Sequence, residues 1–282
     1  MARPTSMAAR RALGDELRRL RGERRGAEIS GALGWSESKL SRIETARTGI
    51  ADRDLERLLH AYDVEPADLV RLRELARQGR ARVWWAPYRS AVADNYDEYV
   101  AFEAEAVRIC EWEAQVVPGL LQTDEYAHAV IEVGADVHNT ETILRRTALR
   151  MARQTVLSRE PPPMLCVVLD ESALRREVGG RGVLRRQLQR LYEASHRPGV
   201  ELRVLPFSVG AHAALGEAFV IFEFDEGGRA PVVHSEDLVG GQLRVKGSDV
   251  QVYRDAFADL RERALPAAQT REYIARSGSD LD

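Results

Sequence analysis

The sequence predicts a multi-domain chain: an all-α head of five short helices, followed by a larger α/β domain with a mixed sheet and helices. Three observations carry this reading. Residues 8–80 hold apolar side chains at helical spacing, with no strand-like run between them. Beyond residue 160, short apolar runs alternate with amphipathic helical stretches. Charge divides at the same place: residues 1–80 carry 17 Lys and Arg against 13 Asp and Glu, while the remainder carries 24 against 31. A basic head on an acidic body fits a protein whose head alone meets a polyanion. A chain of 282 residues suffices for two domains, here 8–80 and 96–276 with a linker at 81–95.

In the head, Leu13, Leu17 and Leu20 mark one face of a first helix. Ile29, Ala32 and Leu33 give a second, very short apolar face. Gly34 stands where a helix needs a left-handed residue to stop, and Ser36 is a natural N-cap for the next helix. With that cap, Trp35 and Leu40 form a hydrophobic staple, so "LGWSESKL" reads as helix, tight turn, helix. In the third helix Leu40 and Ile43 point inward, while Ser38, Ser41, Arg42 and Thr45 point outward, flanked by Glu37 and Lys39. Short hydroxyl side chains around one arginine allow close approach to base edges, and an arginine fork matches the O6 and N7 of guanine. Ser36, Ser38 and the first-turn N–H groups suit a phosphate. Leu55, Leu58, Leu59 and Tyr62 line a fourth helix, and Pro66 opens a fifth with Leu69, Leu72 and Leu75.

These residues, "LRRLR…EISGALGWSESKLSRIETA…DLERLLHAYDVEPAD", resemble the helix-turn-helix domain of Xre/Cro-type repressors over residues 8–78. The resemblance implies double-stranded DNA binding through a recognition helix at 36–46, with Ser36, Glu37, Ser38, Lys39, Ser41, Arg42, Thr45 and Arg47 at the contact. It also implies an ion pair between Glu44 and Arg21. The segment "RGERRGAEIS" between the first two helices is about two residues shorter than in many relatives, which predicts a distorted first turn. Arg18, Arg19, Arg24, Arg25, Arg47 and Arg53 are candidate phosphate contacts.

In the body, Trp84, Trp85 and Pro87 mark the junction. A helix is expected from about Tyr96 to Glu111, then a turn at Pro118-Gly119, then a helix capped by Thr123. "NTETILRRTALRMARQTVLSRE" reads as a long polar helix ended by three prolines. "MLCVVLD" and "VELRVLPF" read as buried strands separated by a helix carrying Leu184, Leu188 and Leu191, which predicts a parallel crossover. "EAFVIFEF" and "APVVHSE" read as a hairpin, residues 248–265 as a further helix, and the tail as frayed from "RSGSDLD".

The stretches "YVAFEAEAVRICEWEAQVVPGLLQTDEYAHAVI", "LDESALRREVGG" and "LPFSVGAHAALGEAFVIFEF…PVVHSED" resemble the C-terminal domain of actinobacterial Xre-type regulators, the WhiJ-like proteins of streptomycetes. That resemblance implies developmental or secondary-metabolism regulation, and an antitoxin-like arrangement with a small acidic partner protein encoded nearby.

Catalytic chemistry finds little support. The chain lacks a G-x-S-x-G elbow and a G-x-x-x-x-G-K-[ST] loop. "GGRG" at 179–182 follows no strand, so it reads as a turn. His212 and His234 could meet Glu236 or Asp237 in space, but no histidine shows metal-ligand spacing. Cys110 and Cys166 sit among apolar neighbours and read as buried free thiols. No cofactor and no metal are expected. Trp112, Glu113, Gln122 and Tyr126 around "VPGLLQT" are the candidate lining of an effector or partner site. The N-terminus has no apolar signal core, and no run approaches the roughly 18 apolar residues of a membrane span. The expectation is a cytoplasmic, homodimeric, DNA-binding regulator with no membrane partner.

Overall fold

A computed structural model describes residues 6–46, 48–80, 84–91, 96–134, 139–225, 229–237 and 240–281. The chain divides into two compact units, Met1–Ala86 and Pro87–Asp282.

The first unit is helical: α1 (Ser6–Arg21), α2 (Gly26–Leu33), α3 (Glu37–Glu44), α4 (Asp52–Ala61) and α5 (Pro66–Gly79). Leu13 and Leu17 of α1, Ile29 and Leu33 of α2, Leu40 and Ile43 of α3, three leucines of α4 and Leu72 of α5 form one buried cluster. None of these helices could bury its stripe alone, and the shared core is what holds them helical. Ala32, expected inward, is exposed, and Ser30 is buried in its place. Its hydroxyl donates back to the Gly26 carbonyl at 2.8 Å, so the buried polar group is satisfied. The short connection after α1 turns at Gly22, which has φ +58°. Arg24 closes it by donating to the carbonyls of Leu20 at 2.8 Å and Ala61 at 3.0 Å.

The second unit opens with α6 (Tyr96–Glu105), which stops six residues short of the expected end. The chain then runs as β1 (Arg108–Glu113). The pattern "RICEWE" alternates side chains across a sheet and is buried on both faces, so the helical reading of its apolar residues fails on period. After a 3-10 turn at Gly119–Leu121 come α7 (Asp124–Glu132), α8 (Thr140–Arg153) and a 3-10 turn at Gln154–Ser158. Then follow β2 (Met164–Asp170), α9 (Glu171–Arg175), α10 (Arg181–Ala194), β3 (Val200–Leu205), β4 (Phe219–Glu223), β5 (Val232–Asp237), β6 (Gly240–Arg244), α11 (Gly247–Arg263) and α12 (Ala267–Ser279). α12 thus continues through Ser279, into the segment expected to fray. Thr270 and Ile274 of α12 are buried, and α12 packs on α10 and β3.

The six strands found among the described residues form one mixed sheet in the order β3-β2-β1-β4-β5-β6. β1, β2 and β3 are parallel, and β4, β5 and β6 are antiparallel to their neighbours. The expected crossover from β2 to β3 and the hairpin from β4 to β5 are both present, while β1 and β6 were not foreseen as strands. One face carries Ile109, Leu165, Val167 and Phe222 against Tyr126 and the leucines of α10. The other carries Cys110, Trp112, Cys166, Ile221 and Val233 against Phe257 and Leu260 of α11.

Candidate nucleic-acid interface and a buried charged cluster

The turn between α2 and α3 explains the posture of α3. Gly34 has φ +66°, ψ +31°, a left-handed conformation that costs a side-chain-bearing residue about 1–2 kcal/mol. Its N–H closes α2 onto the Gly31 carbonyl at 3.1 Å, and Trp35 donates to Ser30 O at 2.8 Å. Ser36 then caps α3, its hydroxyl accepting from the Lys39 N–H at 3.2 Å. Trp35 is partly buried and packs against the head core, whose buried residues include Leu40.

From the other side, α3 is braced by charge. Arg21 Nε donates to Glu44 Oε1 at 2.8 Å and Arg21 Nη2 to Glu44 Oε2 at 3.2 Å, a two-pronged form of the ion pair that the Xre/Cro resemblance implies. The Tyr62 hydroxyl donates to the same carboxylate at 3.1 Å. Burial and the adjacent Glu44 charge push the Tyr62 phenol up, and the hydrogen bond to Glu44 does the same for the Arg21 guanidinium. Glu44 is thus a structural carboxylate facing inward.

Ser38, Ser41, Arg42 and Thr45 are all exposed, at spacings of three and four that place them on one face of α3. The Thr45 hydroxyl donates to Ser41 O at 2.7 Å, and Arg42 Nε lies 3.2 Å from Ser38 O as donor. Glu37 is exposed beside them in the first turn. Lys39 is differently engaged: its ammonium lies 2.7 Å from Asp54 of α4 and 4.1 Å above the Trp35 ring. Arg47 lies outside the described residues. Of the candidate phosphate contacts, Arg25 and Arg53 are exposed, and Arg18 and Arg19 pair with Asp15 and Glu16 on their own helix. Arg24 is spent on the carbonyls that end α1 and α4.

In the second unit the four residues around "VPGLLQT" do not converge on one pocket. Trp112 and Glu113 are consecutive on β1 and point to opposite faces. Trp112 is buried with the cysteines, and its indole donates to Ala214 O at 3.1 Å. Tyr126 is buried in the opposite core, where its hydroxyl accepts from the Val117 N–H at 3.3 Å. Gln122 is buried and braces the turn, donating to Val117 O at 2.7 Å and accepting from Arg150 at 3.1 Å. The two histidines are parted too. His212 meets Trp112 edge-on at 5.1 Å, whereas His234 meets Tyr99 at 4.7 Å on the other face. No group of His, Cys, Asp and Glu that could hold a metal occurs among the described residues.

What does gather on the Glu113 face is a charged cluster that sequence reading missed. Arg153 is 5% exposed and grips Glu103, itself 2% exposed, through Nε at 3.0 Å and Nη2 at 2.5 Å. Its guanidinium stands 4.8 Å from the Tyr99 ring. Glu111 lies nearby on β1. Burial raises its carboxyl to about 7, opposed by Arg153 and reinforced by Glu103. Burial also lifts Glu113 well above the carboxylate range, with Glu111 adding to it and Arg150 opposing. Burial, and then Arg153, depress His234 to about 4. The only signal in the sequence was "CEWE", two carboxylates one strand repeat apart, and it shows once the segment is read as a strand.

A five-helix unit with a capped turn and an outward-facing polar third helix defines a helix-turn-helix protein. A helix-turn-helix domain model matches residues 12–81. Over residues 96–276 the chain matches the model of a domain of unknown function (DUF5753), and it belongs to that family. No curated protein and no solved structure matches it. No described helix is long and apolar enough to cross a membrane.

Proposed function

We propose that the protein is a sequence-specific double-stranded-DNA-binding transcriptional regulator. In this reading residues 8–80 bind DNA, 81–95 link, and 96–276 form a body that dimerises and takes an effector or partner. The supporting observation is the outward face of α3, where three short hydroxyl residues surround Arg42 on a helix fixed by Gly34, Ser36 and the Arg21–Glu44 pair. Among the described residues Arg42 has no carboxylate partner and only its Nε is engaged, by Ser38 O, so its two Nη groups are left to meet a guanine edge. Ser36, Ser38, Ser41, Thr45 and Glu37 surround it, and the first-turn amides are suited to a phosphate. Lys39 joins the contact only by leaving Asp54, which makes it a weaker contributor than Arg42. Arg47 is proposed from its position just past the helix. Two copies reading half-sites about one helical turn apart would match the usual use of this motif.

The test is a genome-wide binding map followed by footprinting of the recovered operator. Arg42→Ala should weaken specific binding by about 1–3 kcal/mol and relax preference at one base pair of each half-site. An unchanged footprint and affinity for Arg42→Ala would overturn the proposal. So would failure to shift any promoter fragment at low salt while a stoichiometric small protein co-purifies, since that outcome favours a partner-holding, antitoxin-like role.

A further inference from the structure

The 282-residue chain holds two cysteines, 56 positions apart, and the fold sets them side by side. Cys110 of β1 and Cys166 of β2 are register partners on adjacent parallel strands. Their side chains enter the same apolar face, and both are buried. Neighbouring strands lie about 4.8 Å apart, within the Cα separation that a disulfide spans. The Arg108 side chain lies on the same face of β1 as Cys110, one strand repeat away.

Charged side chains border the thiol pair within this apolar core. The Arg108 side chain is 41% exposed and pairs with Glu223 of β4 at 3.8 Å. Its Nε is buried without a hydrogen-bond partner. Glu201 of β3 is the register partner of Cys166 on the other side and is held by Arg261 of α11 at 2.9 Å. Arg254 of α11 holds Glu223 of β4 at 2.6 Å. Two ion pairs therefore anchor α11 over the sheet beside the cysteines, with Phe257 between them in sequence and in the same apolar core. The Cys110 thiol and the Arg108 guanidinium hold the Cys166 thiol below its usual range against the effect of burial. The Cys166 thiol, with burial, pushes the Cys110 thiol up.

We infer that Cys110 and Cys166 are a peroxide-oxidisable dithiol site, in which Cys166 is the attacking thiolate and Cys110 the resolving thiol. Cys166 sulfur attacks one oxygen of hydrogen peroxide; an S–O bond forms, the O–O bond breaks, and hydroxide leaves. That hydroxide takes the Cys110 proton and becomes water. The Cys110 thiolate attacks the Cys166 sulfenic acid; the S–S bond forms, the S–O bond breaks, and the second hydroxide becomes water with the proton Cys166 first gave up. Two thiols are oxidised to one disulfide while one peroxide is reduced to two waters. An added dithiol reverses the change. The inference is independent of what the head binds.

The experiment treats the full chain with a small excess of hydrogen peroxide, stops the reaction with acid, and alkylates free thiols in denaturant before peptide mapping. The expected product is an intrachain Cys110–Cys166 cross-linked peptide, formed without dimers and removed by dithiothreitol. With a sulfenic-acid trap present, Cys110→Ala should yield the adduct on Cys166, and Cys166→Ala should yield none on Cys110 at the same time point. Arg108→Met should slow cross-linking at neutral pH and move the rate profile to higher pH, which loss of packing alone would not do. Full alkylation of both cysteines after peroxide in folded wild-type protein would overturn the inference. So would cross-linking as fast in denaturant as in the native state.

Discussion

At the scale of single residues, two buried carboxylates do different things. Glu44 is held by three hydrogen bonds, two from Arg21 and one from Tyr62. Arg21→Ala would leave that side chain in the head core without its ion-pair partner, and removing one partner of a buried pair costs about 3–5 kcal/mol. The lower end is expected, since the Tyr62 hydroxyl stays and Arg21 is itself 24% exposed. The loss should appear in chemical denaturation as a lower midpoint for the head, and Arg21→Lys should recover only part of it, because an ammonium cannot fork. Glu111 instead favours its neutral form. Its folded value near 7 exceeds the ordinary glutamate value of 4.5, so the folded state binds the extra proton. That stability is fully present below about 4.5 and is lost as pH rises through about 7. His234 runs the other way: its value near 4 against 6.5 adds stability as pH rises across that interval. The two slopes oppose each other in wild type. Glu111→Gln removes one of them, so the variant's stability relative to wild type should climb between pH 4.5 and 7 and then level off. A pH series of thermal melts checks this; a flat difference would place Glu111 outside the linkage.

At the scale of elements, the angle of α3 depends on two close approaches. The first is the turn at Gly34 with its Ser36 cap. Ser36→Ala removes the side-chain acceptor and should cost about 1 kcal/mol. The second is the crossing of α1 against the end of α3. A Cβ on Gly14 would stand 2.5 Å from the Glu44 carbonyl oxygen, which belongs to backbone and cannot swing aside. Gly14→Ala should therefore cost about 1–3 kcal/mol as overpacking, despite alanine's better helix propensity. Because the displaced element is α3, operator affinity should fall more than head stability predicts, a difference readable by titrating DNA at a temperature where the variant remains folded. In the body, β1 shows why an element boundary escaped sequence reading. "FEAEAVRICEWE" carries apolar residues at spacings compatible with helix or strand, and only pairing with β2 on one side and β4 on the other selects the strand. The same holds for β6, whose "GGQLR" has little strand propensity and exists as the partner of β5.

At the scale of the whole molecule, each unit closes a core of its own, one in the head and two across the sheet of the body. Two calorimetric transitions are expected for the full chain, with Arg21→Ala moving one and Glu111→Gln the other. The charge division implies that DNA affinity falls steeply with salt, with a log–log slope of about −0.9 for each phosphate neutralised by the head. Arg25→Ala and Arg53→Ala should each reduce that slope by about one if they meet phosphate, whereas Arg24→Ala should act on stability, because Arg24 closes helix ends.

The sequence by itself determined whatever depends on neighbours along the chain. The helical faces of the head rest on spacings of three or four residues, which a helix turns into contacts, and the left-handed stop at Gly34 and the Ser36 cap are chain neighbours; the Glu44–Arg21 pair, 23 positions apart, was expected only from the resemblance to Xre/Cro-type domains. The buried strands at 164–170 and 200–205 were legible because continuous apolar runs between turns have few other uses. Tertiary structure alone decided what depends on strand order and sheet face. It made residues 108–113 a central strand, sent Trp112 and Glu113 to opposite cores, parted His212 from His234, engaged Lys39 with Asp54, gathered Glu103, Glu111, Glu113, Arg150 and Arg153, and set Cys110 against Cys166. The physical reason is common to all of these. Long-range pairing in a sheet is chosen by the total burial of both faces, and no local window of the sequence contains that sum.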